Sequence, residues 1–218
     1  MADLTKDSHA ELINAISRIL IKNGLKATTM DYVASALSMS KRTLYEIFDS
    51  KKDMILKVVS YWNNQHRLET EKYFATSRNV MEALVKSFYA HEQMMKEVNV
   101  EFFLDMDKYF PEVRKEFESN DRMWIDKMMV AINKGIEQGV FRPDVNYQVT
   151  LHLMRIQMES LKRMEEHFPP EITLSMAFNS ISLGFLRSIA TPDGMKVIDE
   201  TYPLEPGLSE NQTISKNI

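Results

Sequence analysis

Leu12, Ile13, Ile16, Ile19 and Leu20 recur at three- and four-residue spacing in HAELINAISRILIKNG, which predicts a first helix over about 8–23. Gly24 falls where a left-handed cap would end it. Thr28 or Thr29 suits the cap of a second helix running to about Ala36, because a side-chain oxygen there accepts from the free amides of the first turn. Ser40 caps a third, very short helix to about Phe48, and Ser50 a fourth. In that fourth helix Met54, Ile55, Val58, Val59 and Trp62 form one apolar stripe, and no Gly or Pro intervenes before about Phe74. Further helices are expected at about 79–97, 99–109, 112–138, 145–167 and 171–190. Pro111, the GVFRPDVN stretch and Pro169-Pro170 separate them, since proline lacks the amide a continuing helix needs. After Thr191 turn formers and polar residues dominate, and residues 196–218 read as an irregular tail. No strand pattern emerges, so the class is all-α, with about nine helices.

The second and third helices meet the local requirements of a helix-turn-helix, in which the second helix enters the major groove and the first crosses the phosphate backbone. Met30, Val33, Ala34 and Leu37 face inward from one helix, Ser38-Met39 make a short turn, and Leu44, Ile47 and Phe48 face inward from the next. Between them Lys41, Arg42, Thr43 and Tyr45 are left outward, a set suited to phosphate oxygens and base edges. Lys51, at the start of the fourth helix, adds a cation, whereas Tyr32 reads as a packing residue.

Residues 19–55, ILIKNGLKATTMDYVASALSMSKRTLYEIFDSKKDMI, resemble the head of the tetracycline-repressor (TetR) family of bacterial transcription regulators. Gly24, Thr28-Thr29, Val33-Ala34, Ser40, Thr43-Leu44-Tyr45, Phe48 and Lys51 fall at that family's spacing. Two departures stand out: Ser38 occupies a turn position where the family commonly has Gly, and Glu46 and Ile47 stand where aromatic residues or His are frequent. The resemblance implies a DNA-binding domain over 1–52 and an effector-binding and dimerisation domain over 53–195. It implies that Thr28, Thr29, Tyr45 and Lys51 touch phosphates of double-stranded DNA, that Lys41, Arg42 and Thr43 face bases, and that Ser40 belongs to the same surface. The implied protein is a homodimeric repressor on a two-fold symmetric operator, released by a small-molecule effector.

In the body, the helix at about 171–190 is apolar on more than one face, with Leu174, Phe178, Ile181 and Phe185 beside a small-residue line of Ala177, Ser180, Gly184 and Ser188. The helix before it carries Val149, Leu153 and Ile156 as well as Met154 and Met158. Two such helices point to a four-helix interface between two subunits, in which Val149, Ile156, Ala177, Ile181, Gly184 and Phe185 are the candidates. Sixteen methionines accompany many aromatic residues. Flexible thioethers and rings suit a pocket for an apolar or aromatic effector, with Phe88, Met95, Phe102, Phe103, Trp124, Met128, Met154 and Met158 as candidate lining, although such a stripe at helical spacing is more often plain core.

Composition narrows the alternatives. Residues 1–57 hold nine Lys/Arg against seven Asp/Glu, while 58–218 hold eighteen against twenty-four, so the basic part is N-terminal within a net charge of −4. With no cysteine, thiolate chemistry and Cys-based zinc sites are excluded. The five histidines form no HExxH or Glu-x-x-His motif, and phosphate-cradling or nucleophile-elbow motifs are missing, so no catalytic residue, metal or cofactor is indicated. His91 and His152 read as core or interface residues, and Asp105/Asp107 and Glu165/Glu166 as solvated faces. No leader precedes HAELINAI and no apolar run reaches membrane length, which places the chain in the cytoplasm without a membrane partner. The rival reading is a helical-bundle enzyme or lipid-binding protein whose N-terminal helices are only structural.

Overall fold

The computed structural model describes residues 6–164 and 168–202, with side chains from Ser8 onward except those of 116–124. Helices α1 (Lys6–Asn23), α2 (Met30–Ala36) and α3 (Lys41–Ile47) form the head. Gly24, at φ +80°, ends α1 by donating to the Leu20 carbonyl at 3.0 Å. Thr29, not Thr28, caps α2, its hydroxyl accepting from the Tyr32 amide at 3.1 Å. Ser40 caps α3 by accepting from the Thr43 amide at 3.0 Å. Between them the amides of Ser38 and Met39 donate to Ser35 and Ala34 at 3.1 and 2.8 Å, the paired bonds of a Schellman motif. That motif needs a left-handed residue, and Ser38 supplies it at φ 52° where glycine fits more easily.

α4 (Lys51–Thr76), capped by Ser50, is 26 residues long and spans about 39 Å. Its first turns bury Met54, Ile55, Val58 and Val59 in the head's core with Ile16, Leu20, Leu44 and Phe48, and Phe102, Met106 and Val113 of the body join the same cluster. The apolar core therefore runs through the expected division at 52/53. The body continues with α5 (Val80–Met95), α6 (Glu101–Tyr109), α7 (Pro111–Glu137) and α8 (Tyr147–Ser160), which a 3-10 turn at Leu161–Arg163 extends. α9 (Leu174–Ile189) lies chiefly along α5 and also against α8.

Residues after Ile189 depart from expectation. Pro192–Thr201 form a helix, α10, where the irregular tail was expected to begin at 196; Thr191 caps it and Pro192 occupies its first turn, which needs no proline amide. Turn formers here start a helix rather than prevent one. Gly194 lets α10 approach closely, since a Cβ there would lie 2.1 Å from the Val140 carbonyl oxygen. The loop after α7 is pinned to the end of α9 by Arg142 N–H to Ile189 O at 2.8 Å and Thr191 N–H to Val140 O at 3.2 Å. At the far end of α10, Tyr202 donates to the buried Glu92 carboxylate of α5 at 2.5 Å, and Asn179 of α9 donates to the same oxygen at 2.7 Å. The rest of the tail, 203–218, and Glu165/Glu166 lie outside the described residues. None of the helices among the described residues is long and apolar enough to cross a membrane.

Candidate DNA interface and the body behind it

The outward side of α3 carries Lys41, Arg42 and Tyr45, all exposed, with Thr29 and Ser40 exposed beside them and Thr43 half-buried. Lys41 reaches Asp31 at 2.6 Å and Arg42 reaches Glu46 at 3.0 Å. Both pairs are open to solvent, where such contacts contribute about 0–1 kcal/mol, so a phosphate or base edge can displace the carboxylates at little cost. Thr43 shares a 2.8 Å hydroxyl contact with Ser40, which orders the first turn of α3. Tyr32, expected to pack, is instead 50% exposed on α2, and Tyr45 is 52% exposed on α3.

Two of the expected phosphate contacts point the other way. Thr28 is buried, and its hydroxyl donates to the Gly24 carbonyl at 2.8 Å, an acceptor left open where α1 ends. Lys51 donates from Nζ to the Lys26 carbonyl at 2.8 Å and lies over the Phe110 ring at 5.7 Å. Burial lowers the Lys51 ammonium below the usual lysine range, and the Asp105 charge partly offsets it.

The α1–α2 turn is held by α6 and the loop before it. Asp105, read from the sequence as a solvated carboxylate, is 6% exposed and accepts the Lys26 amide at 2.6 Å. The Asn99 amide donates to Ile21 O at 3.0 Å, and the Lys26 ammonium to the Tyr109 hydroxyl at 3.1 Å. Lys52 pairs with Glu112 across the same joint at 2.7 Å. A signal for Asp105 existed: Phe102 and Met106, both 2% exposed, place it within their own helical stripe. Its pair partner by sequence, Asp107, meets Arg114 at 2.9 Å.

The candidate pocket residues are distributed over three apolar clusters. Phe102 belongs to the core that holds the head. Met128 and Met154 are buried in a second cluster with Leu84, Ile132, Leu151 and Leu186, against which Phe88 packs. Met95 packs on a third with Leu161, Leu174, Ala177 and Phe178; Phe103 bridges the first and third, and Met158 the second and third. The Trp124 side chain lies outside the described residues. His152 is exposed, whereas His91 is half-buried within the body. Among the described residues no group of three His, Cys, Asp or Glu side chains is arranged to hold a metal ion.

On α8 and α9, Val149, Leu153, Ile156 and Met176 are 53–59% exposed. A groove of about 450 Å³ runs between the two helices, lined by Leu153, Gln157, Ile181, Gly184, Phe185 and neighbours. Gly184 is exposed with no atom within 4 Å of a Cβ built on it. Ala177 differs from the expected interface set, being 6% exposed within the chain's own third cluster, and Phe185, at 5%, forms the floor of the groove.

An exposed basic helix, set by a Schellman turn against a capped helix and sharing its core with the helical body behind it, has the geometry of a helix-turn-helix DNA-binding head. Residues 12–58 match the family model of the bacterial regulatory proteins, tetR family. Over those residues the head is similar to that family's DNA-binding domain. A curated relative, the HTH-type transcriptional repressor KstR2 of Mycobacterium tuberculosis (strain ATCC 25618 / H37Rv), is 22% identical over 163 residues, which cover 71% of this chain and 80% of the relative. Among solved structures, the regulator FadR from Bacillus subtilis in complex with stearoyl-CoA has a TM-score of 0.61 at 14% identity, covering 83% of this chain and 99% of that one. A putative transcriptional regulator from Saccharomonospora viridis in complex with choline has a TM-score of 0.64 at 17% identity, covering 86% and 100%. The two solved structures share the fold.

Proposed function

We propose that the chain acts in the cytoplasm as a homodimeric repressor that reads a two-fold symmetric operator and is released by a small-molecule effector bound in the body. The observation that carries DNA reading is the exposed α3 face of Lys41, Arg42 and Tyr45, on which the two cations pair with solvent-exposed carboxylates. One short helix offers few contacts, and two heads about 34 Å apart multiply them. The apolar face of Val149, Leu153, Ile156 and the α8/α9 groove supports pairing of two bodies through a four-helix contact. A repressor relative and two ligand-bound structural neighbours support the effector-released reading.

In this proposal residues 1–52 bind DNA and 53–195 bind effector and partner, α10 included. Lys41, Arg42, Thr43, Tyr45, Thr29 and Ser40 form the contact surface, while Thr28 and Lys51 act in the joint behind it. An effector lowers operator affinity only through its differential affinity for a body state that holds the heads apart. The Asp105–Lys26 bond and the shared core around Met54 and Ile55 transmit such a state to the head. Selection of bound fragments from the source genome tests the reading: a recurring inverted repeat is the expected outcome, and failure to enrich any sequence overturns it. Sedimentation of the free chain checks the dimer.

A further inference from the structure

Trp62 and His66 of α4, His91 of α5 and Phe178 of α9 form a continuous ladder of rings across the body. Trp62 meets His66 edge-on at 4.6 Å, His66 meets His91 at 5.3 Å, and His91 stacks on Phe178 at 6.3 Å. The ladder lies where the three apolar clusters meet: Trp62 packs on the first, Phe178 belongs to the third, and Phe88, one turn before His91, packs on the second. Met95, one turn after His91, continues the same face.

Two polar groups in this apolar setting, Asn63 and His91, have a nitrogen open to a ligand. The Asn63 side-chain amide nitrogen is buried without a hydrogen-bond partner, one helical turn before His66. A buried orphan donor is costly to a fold, and native proteins keep few of them. His91 Nδ1 lies 2.8 Å from the Ser87 carbonyl, which only accepts, so Nδ1 donates there, and in that tautomer Nε2 is a lone-pair acceptor. His66 stays uncharged at neutral pH, since burial and the neighbouring His91 hold it at about 4. The nearby charges are engaged elsewhere: Arg67 with Glu71 and Asn64, Glu69 with Tyr73, and Glu92 with Tyr202 and Asn179.

Resting on the effector-released reading above, we infer that Asn63, His66 and His91 form the polar end of the effector site, and that this end takes the hydroxyl of an uncharged apolar molecule. A hydroxyl donates to His91 Nε2 while accepting from Asn63, so both vacancies close at once. A carboxylate is repelled by the same lone pair, and an ammonium meets an N–H donor it cannot use.

Equilibrium dialysis of the full chain at neutral pH against four matched probes tests this: 2-naphthylmethanol, 2-naphthoate, 2-naphthylmethylammonium and 2-methylnaphthalene. The alcohol is expected to bind about ten-fold tighter than each of the others, equivalent to about 1.4 kcal/mol. N63L and H91F are each expected to reduce the alcohol to the level of 2-methylnaphthalene. An anion or cation binding as tightly as the alcohol overturns the inference, as does an unchanged alcohol affinity in N63L. Equal binding of all four probes, unaltered by either variant, removes the polar end while leaving an apolar effector body; binding of none counts against both. Nitrogen–proton correlation spectra of the wild-type histidines need no variant, and His91 found protonated on Nε2 instead of Nδ1 overturns the acceptor role.

Discussion

Lys41 and Arg42 on one side of the head and Lys26 and Lys51 on the other come from the same basic sequence stretch, yet they do opposite work. The first two extend into solvent, where each pairs with an exposed carboxylate. The second two hold body and turn together, Lys26 through Tyr109 and its own amide to Asp105, Lys51 through the Lys26 carbonyl. Residue type alone does not separate a charge that addresses a partner from one that joins two parts of its own chain. What separates them is which side of the α1–α2 turn the body covers.

The largest test of this contrast is K41A/R42A, expected to weaken operator binding at least about a hundred-fold, or about 2.7 kcal/mol, and to flatten its salt dependence. Its urea midpoint should stay at the wild-type value, because exposed side chains contribute little to folding. D105A reverses the pattern: with the Lys26 amide orphaned, stability is expected to fall by about 1–3 kcal/mol, and D105N, which keeps an acceptor, should recover much of it.

The inward rule extends to His66 in the body. Its folded pKa of about 4 lies below the ordinary value of 6.5, so its contribution is complete above pH 6.5 and declines as pH falls from there toward 4. Allowing for solvent screening of a partly exposed ring, about 1–2 kcal/mol is lost across that window, and H66Q should remove the slope in urea titrations at pH 7 and pH 4.5. Smaller still, K51M is expected to lower stability by about 1 kcal/mol while leaving the salt slope of DNA binding unchanged. A slope reduced by about one would mean that Lys51 swings out to a phosphate on binding, and the contrast would then describe only the free protein. S38G should raise stability by about 0.5–1 kcal/mol by relieving the left-handed serine, with DNA affinity held within two-fold.

The head was legible because its signals are local. Apolar spacing, the Ser40 and Ser50 caps, Gly24 and the unusual demand on Ser38 all act within a few residues, and each appears where that spacing put it. The body was legible as a set of helices, but which residues share a cluster was not. Phe102 reads like any other aromatic residue, yet it fills the head's core through a contact that closes only when α6 folds back on α1. Asp105 and His66 gain their environments from chain segments far away in sequence, so the local pattern gave one a solvated face and passed over the other. α10 escaped notice because turn-forming Thr, Pro, Asp and Gly also make the opening of a helix.

The clasp between α10 and the rest of the body bears on how the protein can be engineered. Ile198 is fully buried, Gly194 lies against the Val140 carbonyl, and Tyr202 reaches Glu92. A reporter domain or affinity tag spliced between Ala190 and Tyr202 would pull out this wedge and uncover the buried Glu92 carboxylate, whereas a fusion placed after Tyr202 leaves it seated. Sensors built on this scaffold should carry their output module beyond that tyrosine.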